Sequence, residues 1–345
     1  MKILKKVLGI IVFWGIGIFL FVTISYLLRP VNDDFFRERV TGFYAEDDDT
    51  LDIVTTGSSA MYFYFNNPYL WGEFGLTSYN FATPSQSNFL LEDLVDEVLK
   101  TQSPQLFVVE TRKMILAEEK SLNSNRFTFV HDNMKYSWNR IELINSLYDT
   151  WPERFSAYLD ILTYHDSWEE FTEENLQFYD NERAHELKGW KNYKKVTKIK
   201  APVIEEGTET AAISEVSEKA LIQFMNKCKE ENIQVLFLAT PWKIGKENQK
   251  KNRYLGELIE SYGFQFLDCN LYFEEIGLDV EHDFYNKTHT NMVGAEKVTR
   301  FVGNYILEHY DLNLEHSAEV TENWNRVLDT YNTQAEEIRA GILSK

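Results

Sequence analysis

Residues 50–63 read TLDIVTTGSSAMYF, a short β-branched and apolar run that stops at Gly57, Ser58 and Ser59. A run of this kind, closed by glycine and serine, predicts a buried strand entering a turn. Working outward, LTSYNFAT (76–83) has the same character, and SNFLLEDLVDEVLKT (87–101) sets Leu91, Leu94, Val95 and Val98 at helical spacing. PQLFVVETR (104–112) is another short apolar strand. Strand, helix and strand within about sixty residues predict a parallel α/β sheet with right-handed crossovers.

The pattern breaks and then returns. From about Lys113 to Thr210 the chain is helical in period, rich in Trp and Tyr, and without an evident strand, which predicts a helical insertion. Residues 212–230 then place Ile213, Val216, Ala220, Leu221, Phe224, Met225 and Cys228 on one helical stripe. After it come the strand IQVLFLAT (233–240), the helix KNRYLGELIESYG (251–263), the strand FQFLDC (264–269) and a helix within 289–310. A last stripe, Trp324, Val327, Leu328, Tyr331, Ala335, Ile338 and Ile342, predicts a C-terminal helix. The expected organisation is an anchor at 1–30, an acidic linker at 31–50, a first α/β part at 51–114, the insertion at 115–210, a second α/β part at 211–312, and the terminal helix at 313–345.

The 345 residues are 44% hydrophobic and 15% aromatic, with 16 Gly and 7 Pro, a composition that folds and is neither collagen-like nor broadly disordered. Val7 to Leu28 form an uncharged apolar run of 22 residues. At about 1.5 Å per residue it spans a hydrocarbon core of about 30 Å. It exceeds the apolar region of a cleavable signal peptide, about 7–15 residues, so an uncleaved signal anchor is expected. Lys2, Lys5 and Lys6 precede it and predict a cytoplasmic N-terminus with residues 31–345 outside. The formal charge of −19 is uneven: residues 1–30 carry +4, leaving −23 on the rest. That field repels phosphate backbones, so nucleic acid is excluded as a general partner, and a neutral or partly neutralised polymer is favoured over a bare polyanion. Cys228 and Cys269 have no metal-ligand or CxxC spacing.

In a parallel sheet, ligands sit beyond the carboxyl ends of strands. Gly57-Ser58-Ser59 is the first such turn, and a serine there exposes its hydroxyl as a nucleophile. Near the other end, Asp283-Phe284-Tyr285-Asn286-Lys287-Thr288-His289-Thr290-Asn291 offers a histidine with acid and amide groups close by, as a general base and its orienter require.

Together these segments resemble the SGNH (GDSL-type) hydrolases. The match to the family's Gly-Asp-Ser block makes Ser59 the nucleophile. Its second block resembles Asn80-Phe81-Ala82-Thr83-Pro84-Ser85, with Ser85 replacing the glycine whose N–H serves the oxyanion hole. The Gly-x-Asn-Asp block falls at Glu110-Thr111-Arg112-Lys113 without an asparagine, leaving Arg112 as a substitute donor. In the Asp-x-x-His block, His289 matches the base and Asn286 stands at the acid's position, so the orienter is either Asp283 or Asn286.

The resemblance implies a flavodoxin-like three-layer α/β/α fold with a parallel sheet. The single anchor is similar to the cell-envelope branch that includes the D-alanine transfer protein of teichoic-acid loading and polysaccharide O-acetylation proteins. It implies a serine esterase or acyltransferase acting on acyl esters of cell-surface polysaccharide or teichoic acid, beside a membrane-bound O-acyltransferase and needing no cofactor or metal. A degenerate binding or assembly protein on the same fold is the alternative. The tryptophans of the insertion, Trp138, Trp151, Trp168 and Trp190, with Tyr164 and His165, are expected either in the core or as a lid over Ser59.

Overall fold

The computed structural model describes residues 2–29, 34–116, 127–173, 175–176 and 184–344. Five short strands form one parallel sheet: β1 (Ile53–Thr56), β2 (Ser78–Asn80), β3 (Leu106–Glu110), β4 (Val235–Ala239) and β5 (Gln265–Asp268), in the order β2-β1-β3-β4-β5. That order is the flavodoxin-like one, in which the chain turns back between β1 and β3 and leaves a crevice at their carboxyl ends. The register sets Thr56 beside Val109, and Glu110 beside Leu238.

Period-two alternation sends the strand side chains to two cores. Val54, Phe107, Val109, Val235 and Phe237 meet α5 (Leu91–Val98), α11 (Glu215–Glu230) and α12 (Lys246–Ser261). Ile53, Leu106, Val108, Leu236, Leu238 and Leu267 meet α3 (Ser59–Tyr64), α4 (Asn67–Phe74), α13 (Met292–His309) and α14 (Ala318–Leu343) on the other face. Strands buried on both faces read as continuous apolar runs, which is why they stood out in the sequence. Cys228 and Cys269 are free thiols, one in each core.

Two expected boundaries need correction. Most of the acidic linker is structured: α2 (Asp34–Phe43) puts Val40 and Phe43 in the core and buries Arg39 completely. The Arg39 guanidinium donates to the carbonyls of Ala82 and Gly189, both at 3.0 Å, and lies 3.8 Å above the Tyr62 ring. Buried Glu46 pairs with buried Lys188 at 2.7 Å, tying this stretch to the end of the insertion. The insertion is helical only in its first half, through α7 (Thr128–His131), α8 (Trp138–Leu147), α9 (Trp151–Tyr158), α10 (Asp160–Tyr164) and a 3₁₀ turn at His165–Glu170. Residues 190–214 carry no helix or strand, and residues 117–126, 174 and 177–183 lie outside the described residues. The short helix α6 (Arg112–Leu116) follows β3.

The helix α1 (Lys2–Leu27) is long and apolar enough to cross a membrane over Ile3–Ser25. Its end is locked to the insertion by buried charge. Asp160 accepts from Arg29 Nε at 2.7 Å, from Arg140 at 2.7 Å and from the Tyr136 hydroxyl at 2.7 Å. Removing the carboxylate charge leaves two buried guanidinium groups uncompensated, a loss of about 3–5 kcal/mol for a broken buried pair. Asp160→Asn is therefore expected to lower the midpoint of thermal unfolding clearly, whereas exposed Glu169→Gln leaves it unchanged; equal melting of the two variants would contradict the buried-pair account.

Candidate active site

β1 ends at Thr56 and Gly57 takes a φ of +142°, a conformation that side chains rarely adopt. A methyl group at this position would also lie 2.6 Å from the Glu110 Cβ, so the chain needs glycine to bring the ends of β1 and β3 together. Glu110 is buried and bonds to both turns. It accepts from the Ser58 hydroxyl at 2.7 Å and from the Arg112 backbone N–H at 2.7 Å. Ser58 also caps α3, accepting from Ala60 N–H at 3.3 Å. With its hydroxyl bonded and its side chain buried, Ser58 is a structural residue. Ser59 is left half-exposed at the first position of α3.

The histidine arrives from the other end of the chain. β6 (Phe284–Asn286) and β7 (His289–Thr290) form a small antiparallel hairpin. Behind it Asn291 caps α13, accepting from Val293 and Gly294 N–H and donating to His282 O at 2.5 Å. His289 Nε2 lies 2.9 Å from Ser59 Oγ, and His289 Nδ1 lies 3.1 Å from Asn286 Oδ1. Thr288 fixes the amide, because its N–H and hydroxyl both donate to the same Asn286 oxygen, at 2.9 and 3.1 Å. An acceptor facing Nδ1 places the proton there, and Nε2 is left to accept the Ser59 hydroxyl, the tautomer that a general base needs.

Asp283 is not in this arrangement. Its buried carboxylate accepts from Asp279 N–H at 2.7 Å and from Lys297 Nζ at 2.6 Å, which braces the loop leading into α13. Of the two expected orienters, Asn286 touches the histidine and Asp283 does not. The reason is geometric: Asn286 pairs with His289 across the hairpin, whereas Asp283 lies beyond the hairpin pair. His282 is likewise turned away, 2.7 Å from Asp279.

Besides the Ser59 N–H, the expected oxyanion donors are Ser85 and Arg112. Ser85 has a φ of +55°, the left-handed region that favours glycine. Its loop is fastened to the β1 end by Thr83 N–H to Gly57 O at 3.2 Å and by Gln86 Nε2 to Thr56 Oγ1 at 2.7 Å. Arg112 is buried and acts as a clamp, donating to Thr288 O and to Thr240 Oγ1, both at 2.8 Å. Its Nε–H is buried without a hydrogen-bond partner among the described residues.

Four contributors went unread in the sequence. Glu110 is the bridge described above, and its signal was an acid closing an apolar strand. Thr288 orients Asn286. Phe63 stacks on the His289 ring at 4.3 Å, and Tyr193 stacks on Phe63 at 3.8 Å. The insertion therefore reaches the site through its irregular second half. Trp190 is buried there, while Trp138, Trp151 and Trp168 are exposed on the helices of the first half. That second half is also basic: residues 188–200 hold six lysines and no acid. Lys191, Lys194, Lys195, Lys198 and Lys200 are exposed, as is Lys287 in the hairpin turn beside His289. The stretch is pinned against the hairpin by Thr197 N–H to Phe284 O at 2.7 Å and against the start of α13 by Met292 N–H to Tyr193 O at 2.9 Å.

The sequence matches no family model and no curated protein.

Burial, reinforced by the charge of Arg112, pushes the His289 imidazole down to about 3. The base form accordingly persists far below the ordinary imidazole value of about 6.5. In the unfolded chain the ring titrates at its ordinary value, so this residue's contribution to stability falls as pH drops through about 6.5 and goes on falling until the folded value is reached. A carboxylate in place of the amide would stabilise the imidazolium. Asn286→Asp is expected to raise the His289 midpoint, read from its ring-proton NMR titration, by at least one unit, or about 1.4 kcal/mol; a midpoint unchanged by the substitution would show that Asn286 does not control the ring.

Proposed function

We propose that this protein is a membrane-anchored serine esterase or acyltransferase of SGNH type, working outside the cytoplasm on acyl esters of a cell-surface polymer. The observation that carries the reading is the chain of contacts from Ser59 Oγ to His289 Nε2, and from Nδ1 to Asn286. Ser59 attacks the ester carbonyl as His289 takes its proton, and His289 then protonates the leaving alcohol. Water or a polymer hydroxyl completes the cycle. The N–H groups of Ser59 and Ser85, with the Arg112 side chain, are the proposed oxyanion donors, each worth about 10²–10³ in rate.

The turn at the β1–β3 crevice, the glycine-like backbone of Ser85 and the apolar helix ahead of the domain support the assignment to the SGNH cell-envelope branch. The basic rim bears on the substrate. Against the expectation drawn from net charge alone, the lysine-rich stretch fastened to the histidine hairpin supports a phosphodiester polymer such as teichoic acid as well as a polysaccharide. A second reading, a binding or assembly protein on a degenerate SGNH fold, draws on the neutral orienter and the suppressed basicity of His289. A membrane-bound O-acyltransferase is the proposed partner in either case.

A fluorophosphonate probe should label the full-length protein in detergent, and Ser59→Ala should abolish the labelling. Both Ser59→Ala and His289→Ala should reduce hydrolysis of an activated acyl ester by at least about 10³-fold. A folded wild-type protein that neither labels nor turns over would favour the binding reading, and activity surviving in both variants would defeat the serine mechanism. Salt offers a separate check on the substrate. Affinity for a soluble phosphodiester polymer should fall between low ionic strength and about 0.15 M, where charges are screened beyond about 8 Å; affinity that rises with salt would mean that the net acidity of the chain, not the lysine rim, governs the encounter.

A further inference from the structure

From Ile3 to Phe21 the helix α1 is exposed on every side, but over its last turns it is covered. Val22, Thr23 and Leu27 are half-buried, and Ser25 and Arg29 are buried. The covering element is α10, and the junction is fastened by Arg29 to Asp160 and by Asn175 Nδ2 to Leu27 O at 2.9 Å. The apolar window of α1 runs from Ile3 to Ser25, so the covered turns belong to the span itself. With α1 across a bilayer, α10 stands at the depth where hydrocarbon gives way to headgroups.

The side chains around that junction are unusual for a water-facing surface. Leu162 on α10, Trp151 and Phe155 on α9, Trp168 in the 3₁₀ turn, and Phe171 and Leu176 beyond it are 41–67% exposed. Trp151 lies 6.1 Å from the Phe155 ring and 6.4 Å from Tyr158, so α9 presents a continuous aromatic face. An exposed aromatic face with further exposed apolar side chains on the elements packed beside it marks an interaction site, and tryptophan concentrates where bilayer meets water. The exposed acids in the same stretch, Glu153, Asp166, Glu169, Glu170 and Glu173, argue against attraction to anionic lipid. They leave apolar insertion as the driving force.

We propose that α9, α10 and the 3₁₀ turn, with Phe171 and Leu176, form a second membrane contact, a lipid-facing platform that continues from the end of α1 and seats the outer domain on the bilayer surface. Trp151, Phe155, Leu162 and Trp168 enter the headgroup region, and the buried Arg29–Asp160–Arg140 cluster sets the angle between span and domain. The inference rests on α1 crossing the membrane, and not on the chemistry at Ser59.

The test uses the full-length chain in vesicles of phosphatidylcholine brominated high on its acyl chains, which quench tryptophan on contact. Trp14→Phe removes the tryptophan of the span and leaves seven others. In that variant a loss of emission should remain, approaching the share held by Trp151 and Trp168, and it should disappear when Trp151→Phe and Trp168→Phe are added. A Trp14→Phe chain that floats with the vesicles but shows no quenching overturns the platform. Quenching that persists without Trp151 and Trp168 places the contact elsewhere, on α8 through Trp138, and overturns it as well. A chain that does not float with the vesicles overturns the span, and the platform with it.

Discussion

A buried carboxylate, Glu110, holds the ends of β1 and β3 at the one place where the sheet's winding leaves a crevice. It accepts the Ser58 hydroxyl on one side and the Arg112 amide on the other. The two turns that begin there carry Ser59 and Arg112, so the contact positions both the exposed serine and the clamp that reaches the histidine hairpin. The contact needs Gly57, since any side chain at 57 would collide with the base of Glu110. A bonded buried carboxylate is tolerable and an unbonded one is not, which makes the geometry of these two turns interdependent.

The same principle recurs away from the site. Arg39, the Glu46–Lys188 pair and the Arg29–Asp160–Arg140 cluster each bury charge together with its partners, and each joins segments more than a hundred residues apart. Burial holds Glu46 above the ordinary carboxylate range even with Lys188 beside it, so its ionisation depends on that lysine staying in place. These contacts join the stretch between the apolar helix α1 and the sheet to the rest of the chain. They also separate net charge from local charge. The chain is acidic as a whole, yet a stretch with six lysines and no acid, residues 188–200, is fastened to the histidine hairpin through Thr197.

Much of the sheet was legible because its strands are buried on both faces and therefore appear as unbroken apolar runs between turn residues. Ser59 and His289 were legible for a related reason: each lies in a polar turn immediately beyond such a run, or before a capped helix. Asp283 misled because proximity along the chain says little about proximity in a hairpin. Asn286 sits across from His289, and Asp283 is drawn off by Lys297. The linker misled because its string of aspartates resembles a solvated tether, although Arg39, Val40 and Phe43 just ahead of it pack inside.

What the sequence determined by itself was therefore local and periodic: the apolar helix at the start, the alternation of strands and helices, and the turn that exposes a serine. Hydrophobic period and turn chemistry act over a few residues, and they can be read without knowing what lies across the core. Tertiary structure alone decided which partner the histidine has, that Glu110 ties two turns together, that a lysine-rich stretch packs against the histidine hairpin, and that α10 covers the end of the apolar helix α1. Each of those is a meeting of residues far apart in the chain, set by how the helices pack on the sheet and by which buried charges find partners.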